Sequence, residues 1–452
     1  MSLLAVPRPH FLRRKSVWAA IDSAAVTDLG TLVKAIPSVS GWLRHPAIVA
    51  AAGFLVIRLI GLLALLFASE RQGRPLIGVL GIWDGGWYVR IAEEGYADRL
   101  DLSAPMIDQS TGSLAFFPAY PILMRMVSGL TGLDPRWAGV LISVIAGMIA
   151  AAGIAVLAGD WAGRRVGVLA ALLWAAAPMA VVCTLVYSEA TFTALTVWTF
   201  VALRWQFWLL AGILGAAAGL TRPTGVAVGA AVAAYAVWTC WQRLHPPTSA
   251  TSATSATGDP QHQGTGLEVT SRDRSQGDQP FGAIALPLVA GGLALAGTPA
   301  FWLGVGVRAD RWDAWFAMQD AFWGSRFDGG ASMFVLAKSV VSGTTAPGIE
   351  LMSAVVVLAL LGALVLLVLA FRARVWWPLF VYAALSLVMV IGGAGYFSSK
   401  LRFLIPIFVL AFPVARWLGG RSRVLQAIVV LAATAATTVS GTWLLLYWPY
   451  AI

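Results

Sequence analysis

The sequence predicts an all-α polytopic membrane protein with about eleven transmembrane helices. Hydrophobic residues make up 59% of the 452 residues and charged residues only 12%, and the mean hydropathy is +0.79. A soluble domain carries roughly 25% charged residues, so this chain cannot cover its own surface for water. Apolar stretches of spanning length, about 20 residues, recur along it. The 21 Trp residues fit aromatic belts at the two membrane interfaces.

The predicted elements follow the apolar stretches in order. Residues 1–46 form a cytoplasmic N-terminal segment, which is not a cleavable signal because a long polar stretch precedes the first apolar one. Residues 47–446 form the membrane domain, and residues 447–452 form a tail on the outer side. The spans are predicted near residues 47–68, 137–158, 166–187, 190–204, 207–220, 224–241, 281–303, 351–371, 375–393, 403–418 and 424–446.

The distribution of basic residues predicts the orientation of these spans. The short turns 163–165, 372–374 and 421–423 each carry two arginines. Cytoplasmic loops of membrane proteins hold an excess of Lys and Arg, so we place these turns in the cytoplasm. Segments 69–136 and 304–350 then lie outside a cell membrane. The net charge of +10 therefore reflects membrane orientation and does not indicate a nucleic-acid partner.

A polar linker, residues 242–280, separates the sixth and seventh predicted spans. It contains the repeat TSATSATSAT, followed by a stretch rich in Gly, Gln, Asp and Ser. A segment without an apolar face cannot bury a core, so we predict that it is disordered and cytoplasmic. A plain tether and a regulatory loop both fit this composition.

The two cysteines, Cys183 and Cys240, both lie in apolar spans. We predict buried free thiols with a packing role, and no disulfide framework. The sequence shows no metal-ligand spacing, so no metal and no cofactor are predicted.

The first outer segment, residues 69–136, holds the densest group of polar and aromatic residues. Asp84 lies among aromatic residues and glycines beside the membrane, where partial burial strengthens a carboxylate as a proton acceptor. Gly85 and Gly86 would let a substrate approach the backbone closely. An interfacial helix with Asp84 as its N-terminal cap explains the same pattern. The candidate substrate-binding residues here are Trp83, Trp87, Tyr88, Arg90, Glu93, Glu94, Tyr96 and Tyr120.

Four more ionisable residues recur at the predicted outer ends of spans, namely Glu189, Arg222, Lys400 and Arg402. Ionisable groups at membrane depth are costly and usually mark function. The three cations would together hold a phosphate, which Arg binds in a bidentate manner. Each Arg taken alone is equally explained as a cation that snorkels to the interface. For Arg58, inside the first span, we favour that snorkelling position.

The second outer segment, residues 304–350, contains an aromatic and charged stretch at residues 308–326. This stretch predicts an amphipathic interfacial helix above the candidate site. Either a lid that binds the acceptor or a plain surface anchor fits the pattern.

These motifs resemble the PIG-V family, the second mannosyltransferase of GPI-anchor assembly, and its bacterial relatives. The resemblance rests on Trp83-Asp84, on the segments 91–96 and 115–121, on Tyr187-Ser188-Glu189 and on Gly219 with Arg222 and Gly225. They occur in family order over residues 80–225.

The resemblance implies a GT-C glycosyltransferase fold and a sugar donor on a polyprenyl phosphate, used on the non-cytoplasmic side. It places the catalytic acidic residue in the first outer loop, at Asp84. The implied reaction is an inverting transfer, of mannose in the family, to a lipid or glycan acceptor. In it Asp84 takes the acceptor proton, while Arg222, Lys400 and Arg402 stabilise the leaving phosphate. Glu93, Glu94 and Glu189 would hydrogen-bond sugar hydroxyls or orient the basic groups.

A transporter or flippase of a lipid-linked sugar is the alternative from another functional class. It accounts for the spans and for the charges at membrane depth. Such proteins show inverted repeats with paired broken helices, and the sequence has no clear internal repeat.

Overall fold

The computed structural model describes residues 45–98, 111–245 and 281–451. The predicted N-terminal segment up to residue 44 and the predicted disordered linker from residue 246 to 280 lie outside these ranges. The α-helices are α1 Pro46–Arg71, α2 Leu76–Leu80, α3 Asp84–Glu94, α4 Ala119–Thr131, α5 Pro135–Ala162, α6 Arg164–Ala175, α7 Glu189–Arg204, α8 Trp208–Gly219, α9 Gly225–Leu244, α10 Phe281–Ala309, α11 Ala314–Trp323, α12 Ala331–Ser342, α13 Glu350–Arg372, α14 Trp377–Gly392, α15 Lys400–Phe403, α16 Ala411–Gly419 and α17 Arg423–Leu446.

Length and apolar composition confirm a polytopic all-α membrane protein. In the described residues six helices are long and apolar enough to cross a membrane: α1, α5, α9, residues 284–309 of α10, α13 and α17. A seventh crossing is possible at the pair Phe397–Phe403 and Phe408–Gly419, which is bent by 73°. The predicted count of eleven is not confirmed, because α6, α7, α8 and α14 are shorter than a full span.

The stretch predicted as a span at 166–187 is not one continuous helix, because α6 ends at Ala175 and a short 3₁₀ turn, Ala180–Cys183, follows. Pro178 explains the interruption, since proline cannot donate a backbone hydrogen bond and disfavours helical geometry in the preceding residue. Irregular backbone at membrane depth requires partners for its polar groups. Thr437 supplies one by donating to the carbonyl of Ala177 at 2.8 Å.

Arg58 supplies the other partners and does not snorkel, which corrects its predicted position. Its side chain is buried, and it donates to the carbonyl of Ala175 at 2.6 Å and to that of Ala180 at 2.5 Å. The cation is retained inside the protein because the end of α6 and the start of the 3₁₀ turn offer it carbonyl oxygens to bind. Arg58 therefore has a structural role in holding the broken segment 176–188.

Small residues allow the helices of the core to approach closely. A Cβ at Gly167 would clash with the carbonyl of Ala155, and one at Gly297 would clash with that of Ala216. Small residues are typical of close helix contacts in membranes, where van der Waals packing drives association. In this way α5 packs against α1, α6 and α7, while α10 packs against α8 and α9. The predicted free thiols Cys183 and Cys240 are confirmed as buried.

The two predicted outer segments pack against each other. The first contains α2, α3, α4 and a 3₁₀ turn at Thr111–Ala115, which fits the prediction of interfacial helices there. The second contains α11 and α12. Phe117 of the first segment and Trp315 of the second belong to one hydrophobic cluster, and Trp315 Nε1 donates to the carbonyl of Ala115 at 3.2 Å. This contact places α11 beside the N-terminal half of the chain.

Candidate active site

Asp84 is the first residue of α3, directly after a strained residue. Trp83 occupies the cap position with φ 53° and ψ −117°, a conformation that non-glycine residues rarely adopt. Asp84 therefore does not cap the helix, and its carboxylate binds another side chain. The helical spacing puts Trp87 and Tyr88, three and four residues later, on the same face as Asp84.

A close backbone contact holds α3 against the broken segment 176–188. The amide of Val186 donates to the carbonyl of Leu80 at 3.0 Å. A Cβ at Gly85 would lie 3.3 Å from the carbonyl oxygen of Val186. The close approach that Gly85 allows is thus made by protein backbone and not by a substrate, which corrects the prediction for that residue. Gly86 remains exposed. The contact brings α3 next to the start of α7.

Glu189 is the first residue of α7 and its side chain is 0% exposed. Arg222 follows the end of α8, and its Nη1 lies 2.7 Å from Glu189 Oε1. Arg402 lies in the short helix α15, and its Nε is 3.7 Å from the same Glu189 oxygen. A single carboxylate oxygen therefore lies between two guanidinium groups that are far apart in sequence.

Arg402 also binds Asp84, which completes a network of four charged side chains. Its Nη2 lies 2.6 Å from Asp84 Oδ2. The side chain of Asp84 is 22% exposed, whereas that of Arg402 is 8% exposed. The network Asp84–Arg402–Glu189–Arg222 is thus formally neutral, and Asp84 is its most exposed member.

Aromatic rings surround the two guanidinium groups. The ring of Phe403 lies 5.4 Å from the guanidinium carbon of Arg222 and 5.1 Å from that of Arg402. Tyr187 presents its ring to Arg402 at 5.1 Å. Cation–π contacts of this kind stabilise cations that have lost part of their water, so both arginines are held in fixed positions.

A chain of hydroxyl groups connects α3 to the network. The hydroxyls of Tyr88 and Ser188 are 2.9 Å apart, and Arg222 Nη1 donates to Ser188 Oγ at 3.1 Å. Burial raises the pKa of Tyr88, so its hydroxyl stays protonated. The same Nη1 also lies against Glu189 Oε1, so Ser188 and Glu189 together fix the position of this end of Arg222.

Several buried polar atoms at the network have no hydrogen-bond partner. They include Arg402 Nη1, Glu189 Oε2 and Tyr187 Oη. Buried polar atoms without partners are uncommon in folded proteins, and each calls for an explanation. The unpaired donor Arg402 Nη1 is available to an acceptor atom of a ligand or of a water that reaches it.

Aromatic side chains from three segments form a wall next to Asp84. Trp87 stacks on Phe116 with a centroid distance of 5.6 Å, and Trp323 of α11 meets Trp87 edge-on at 6.1 Å. Phe116 also meets the buried ring of Tyr88 edge-on at 5.2 Å. All three rings of the wall, Trp87, Phe116 and Trp323, are half-buried. Flat apolar faces next to a charged network are suited to sugar rings.

The second outer segment also contacts the chain that leads to Arg402. The amide of Asp328 donates to the carbonyl of Gly392 at 2.8 Å, and that of Ala394 donates to the carbonyl of Arg326 at 2.7 Å. Hydrogen bonds from Ser332 lower the pKa of Asp328 to about 2, so its carboxylate stays charged. The segment that holds the wall residue Trp323 is thereby connected to the segment before α15.

Of the predicted site residues, the structure brings together Asp84, Tyr88, Glu189, Arg222 and Arg402, with Trp83 and Trp87 beside them. Lys400 is buried elsewhere and donates to the carbonyls of Val390 and Gly393, near the end of α14. It satisfies carbonyls that the helix end leaves unpaired.

The remaining predicted residues lie outside the network. Arg90 and Glu94 form an exposed ion pair at 2.8 Å, and Glu93 is exposed. The hydroxyl of Tyr96 donates to the carbonyl of Phe116, and that of Tyr120 donates to the carbonyl of Gly139. Both hydroxyls are thus used within the protein.

The sequence analysis did not select Ser188, Phe116, Trp323 and Phe403 as site residues. Ser188 and Phe116 lie inside the family motifs, which was a usable signal. Trp323 lies in the stretch 308–326 for which a lid was one of two predictions, and Phe403 directly follows Arg402. Their positions at the site were not predictable, because these depend on contacts between distant segments. Within the described residues there is no group of three His, Cys, Asp or Glu side chains that could hold a metal ion.

Comparisons with known proteins place part of the chain near a glycosyltransferase family. A family model described as dolichyl-phosphate-mannose-protein mannosyltransferase matches residues 116–255, which is less than half of the chain. The matched segment includes Glu189 and Arg222 but neither Asp84 nor Arg402. This family model is not that of PIG-V, so the PIG-V resemblance stays a prediction.

A solved structure is also similar to this chain. It is the crystal structure of ArnT from Cupriavidus metallidurans bound to undecaprenyl phosphate, with a TM-score of 0.47 and 18% sequence identity. The similarity covers 88% of this chain and 64% of that chain, so this chain spans less than two thirds of the length of ArnT. No curated protein matches the sequence.

Proposed function

We propose that this protein is a membrane glycosyltransferase that moves a sugar from a polyprenyl-phosphate donor to a hydroxyl acceptor. The observation that carries the proposal is the network Asp84–Arg402–Glu189–Arg222, which gathers a partly exposed carboxylate and two guanidinium groups from distant segments. The match of residues 116–255 to a family described as using a lipid-linked mannose donor supports the same reaction class.

In the proposed reaction Asp84 acts as the general base. An acceptor hydroxyl attacks the anomeric carbon of the donor sugar, and its proton passes to a carboxylate oxygen of Asp84. The bond from the acceptor oxygen to the anomeric carbon forms as the bond from that carbon to the phosphate oxygen breaks. The phosphate oxygen keeps the electron pair, so polyprenyl phosphate leaves and the sugar configuration inverts.

The two arginines would stabilise the phosphate as it leaves. The donor carries a phosphodiester with one negative charge, and its departure creates a second negative charge. Guanidinium groups held in place before the reaction stabilise such developing charge without reorganisation. Arg402 Nη1 is buried and unpaired, and it is the donor best placed for this role. The reaction therefore needs no metal and no cofactor. Lys400 would serve only if it left the carbonyls that it binds here.

The finer assignments are also proposals. Mannose as the sugar follows the family description of the matched segment. A lipid or glycan acceptor follows the family resemblance, and an active site on the outer face of the plasma membrane follows the basic turns of the sequence. The aromatic wall of Trp87, Phe116 and Trp323 would bind the sugar or the acceptor through its flat faces.

Replacement of Asp84 by asparagine tests the proposal, because asparagine keeps the size but cannot accept a proton. A positioned general base contributes roughly 10²–10⁴-fold to the rate, so single-turnover transfer should fall by about that factor. Polyprenyl-phosphate-mannose and a lipid extract serve as substrates, with mass spectrometry of the products. Asp134→Asn is the matched control, since Asp134 caps the exposed start of α5 and Asn caps nearly as well. Equal rates for wild type and Asp84→Asn would remove Asp84 from the mechanism.

A flippase of a lipid-linked sugar is a second candidate, because the structure contains interrupted helices. The break at 176–188 and the 73° bend between Phe397–Phe403 and Phe408–Gly419 resemble the discontinuous helices of transporters. A flippase moves its substrate without forming a glycosidic bond. The absence of any glycosylated product from active wild-type protein, together with transfer of the labelled lipid between leaflets, would favour this function.

A further inference from the structure

The burial of Glu189 fits a residue that orients the basic groups better than a direct ligand of sugar hydroxyls. Its side chain is 0% exposed, and it lies beneath two guanidinium groups. Arg222 is held at 2.7 Å and Arg402 at 3.7 Å from the same oxygen. A substrate that entered past Asp84 would meet Arg402 before it met Glu189.

We infer that Glu189 is a positioning residue that competes with Asp84 for Arg402. It weakens the ion pair between Arg402 and the base Asp84, and it limits the positive charge that the site offers to the phosphate. The inference rests on the proposed function and goes beyond it by assigning Glu189 control over the balance between catalysis and donor binding. It acts through the arginines and does not touch the substrate.

The charges of the network support this role. Two carboxylates and two guanidinium groups give a formal charge of zero, with Glu189 compensating both arginines. Interactions between charges in proteins correspond to an effective dielectric constant of about 20, so a buried charge at this distance has a strong effect on its neighbours. Without Glu189 the network would carry a net positive charge next to the phosphate site.

The geometry shows which groups the positive charge of Arg402 would act on if Glu189 were neutral. Arg402 already binds Asp84 at 2.6 Å, which is much shorter than its contact with Glu189. If Glu189 became neutral, Arg402 would have Asp84 as its remaining anionic partner. Asp84 would then be held more firmly in its ion pair with Arg402 and be less available to the acceptor hydroxyl. An incoming phosphate would meet a more positive site and bind more tightly.

We therefore expect Glu189→Gln to lower the rate of transfer and yet to bind the donor more tightly. The rate of the chemical step should fall at least about tenfold, while the KM for the donor should fall as well. Binding of undecaprenyl phosphate, measured directly without any transfer reaction, should tighten about tenfold. A variant that merely disturbs the fold would lose rate and affinity together, and so would a variant that removes a substrate contact.

Two further variants complete the experiment. Glu189→Asp keeps the charge on a shorter side chain, so its kcat and its affinity for undecaprenyl phosphate should lie between those of wild type and Glu189→Gln. This variant carries the test if Glu189→Gln does not fold. Thr199→Val is the matched control, because Thr199 is buried in the same helix and its hydroxyl donates to the carbonyl of Leu195 in its own helix. It should leave both quantities unchanged.

The outcomes separate the inference from the proposed function. Weaker binding of undecaprenyl phosphate by Glu189→Gln, or unchanged kcat and binding, would overturn the role of Glu189 while leaving a glycosyltransferase intact. If wild-type protein forms no glycosylated product, the proposed function fails. In that case tighter binding of undecaprenyl phosphate by Glu189→Gln would still support the role of Glu189 in limiting the positive charge of the site. Unchanged or weaker binding would overturn that role.

Discussion

Replacement of Arg58 by methionine should destabilise the protein, because Arg58 satisfies the backbone of the broken segment 176–188. The guanidinium donates to the carbonyls of Ala175 and Ala180, at 2.6 Å and 2.5 Å. Methionine is also unbranched and flexible and fills part of the same space, but it cannot donate a hydrogen bond. The two carbonyls would then be left without these donors inside the protein.

The structure gives an estimate of the size of the effect. A hydrogen bond from a charged group contributes about 1.5–3 kcal/mol net to stability, so two give about 3–6 kcal/mol. Arg58 Nε is buried without a partner, and its desolvation offsets part of this gain. We therefore expect the free energy of unfolding of Arg58→Met to fall by about 3 kcal/mol, the lower end of that range.

Thermal and denaturant unfolding in detergent, followed by tryptophan fluorescence, measures this loss. Arg71→Met is the matched control, because Arg71 is exposed in the last turn of the same helix. It should change the stability by less than about 0.5 kcal/mol, as surface substitutions usually do. If Arg58→Met were as stable as Arg71→Met, the carbonyls would have other partners, and the structural role of Arg58 would be refuted.

Two further predictions concern topology and the linker. Cysteine introduced at the exposed position Ala346 should be labelled from outside intact cells, whereas Val424→Cys should be labelled only after permeabilisation; the reverse pattern would contradict the proposed orientation and outer active site. Deletion of residues 248–280 should leave membrane insertion and transfer intact, because their composition cannot form a core. Loss of folded protein on this deletion, measured by size-exclusion chromatography, would show that the linker packs against the membrane domain.

Part of the candidate site was predictable from the sequence because the residues carry local signals. Asp84, Glu189 and Arg222 lie in short motifs, and Arg402 is a cation at the end of an apolar stretch. Ionisable residues in such places are rare enough to mark a site. The choice between Arg402 and Lys400 as a partner of Asp84 was not predictable, since the two residues are only two positions apart in one short helix.

The sequence by itself determined that this is an all-α protein with several membrane-spanning helices, because the hydrophobicity of a stretch is a local property that adds up residue by residue. It did not determine where a helix is interrupted at membrane depth, as at Pro178. Nor did it determine which side chain donates to the carbonyls beside the interruption, as Arg58 does. It also did not determine that Arg402 binds Asp84 while Lys400 turns to the end of α14. These features depend on how each helix is rotated and shifted against its neighbours. Only the tertiary structure fixes those positions, because close packing of segments far apart in the chain selects them.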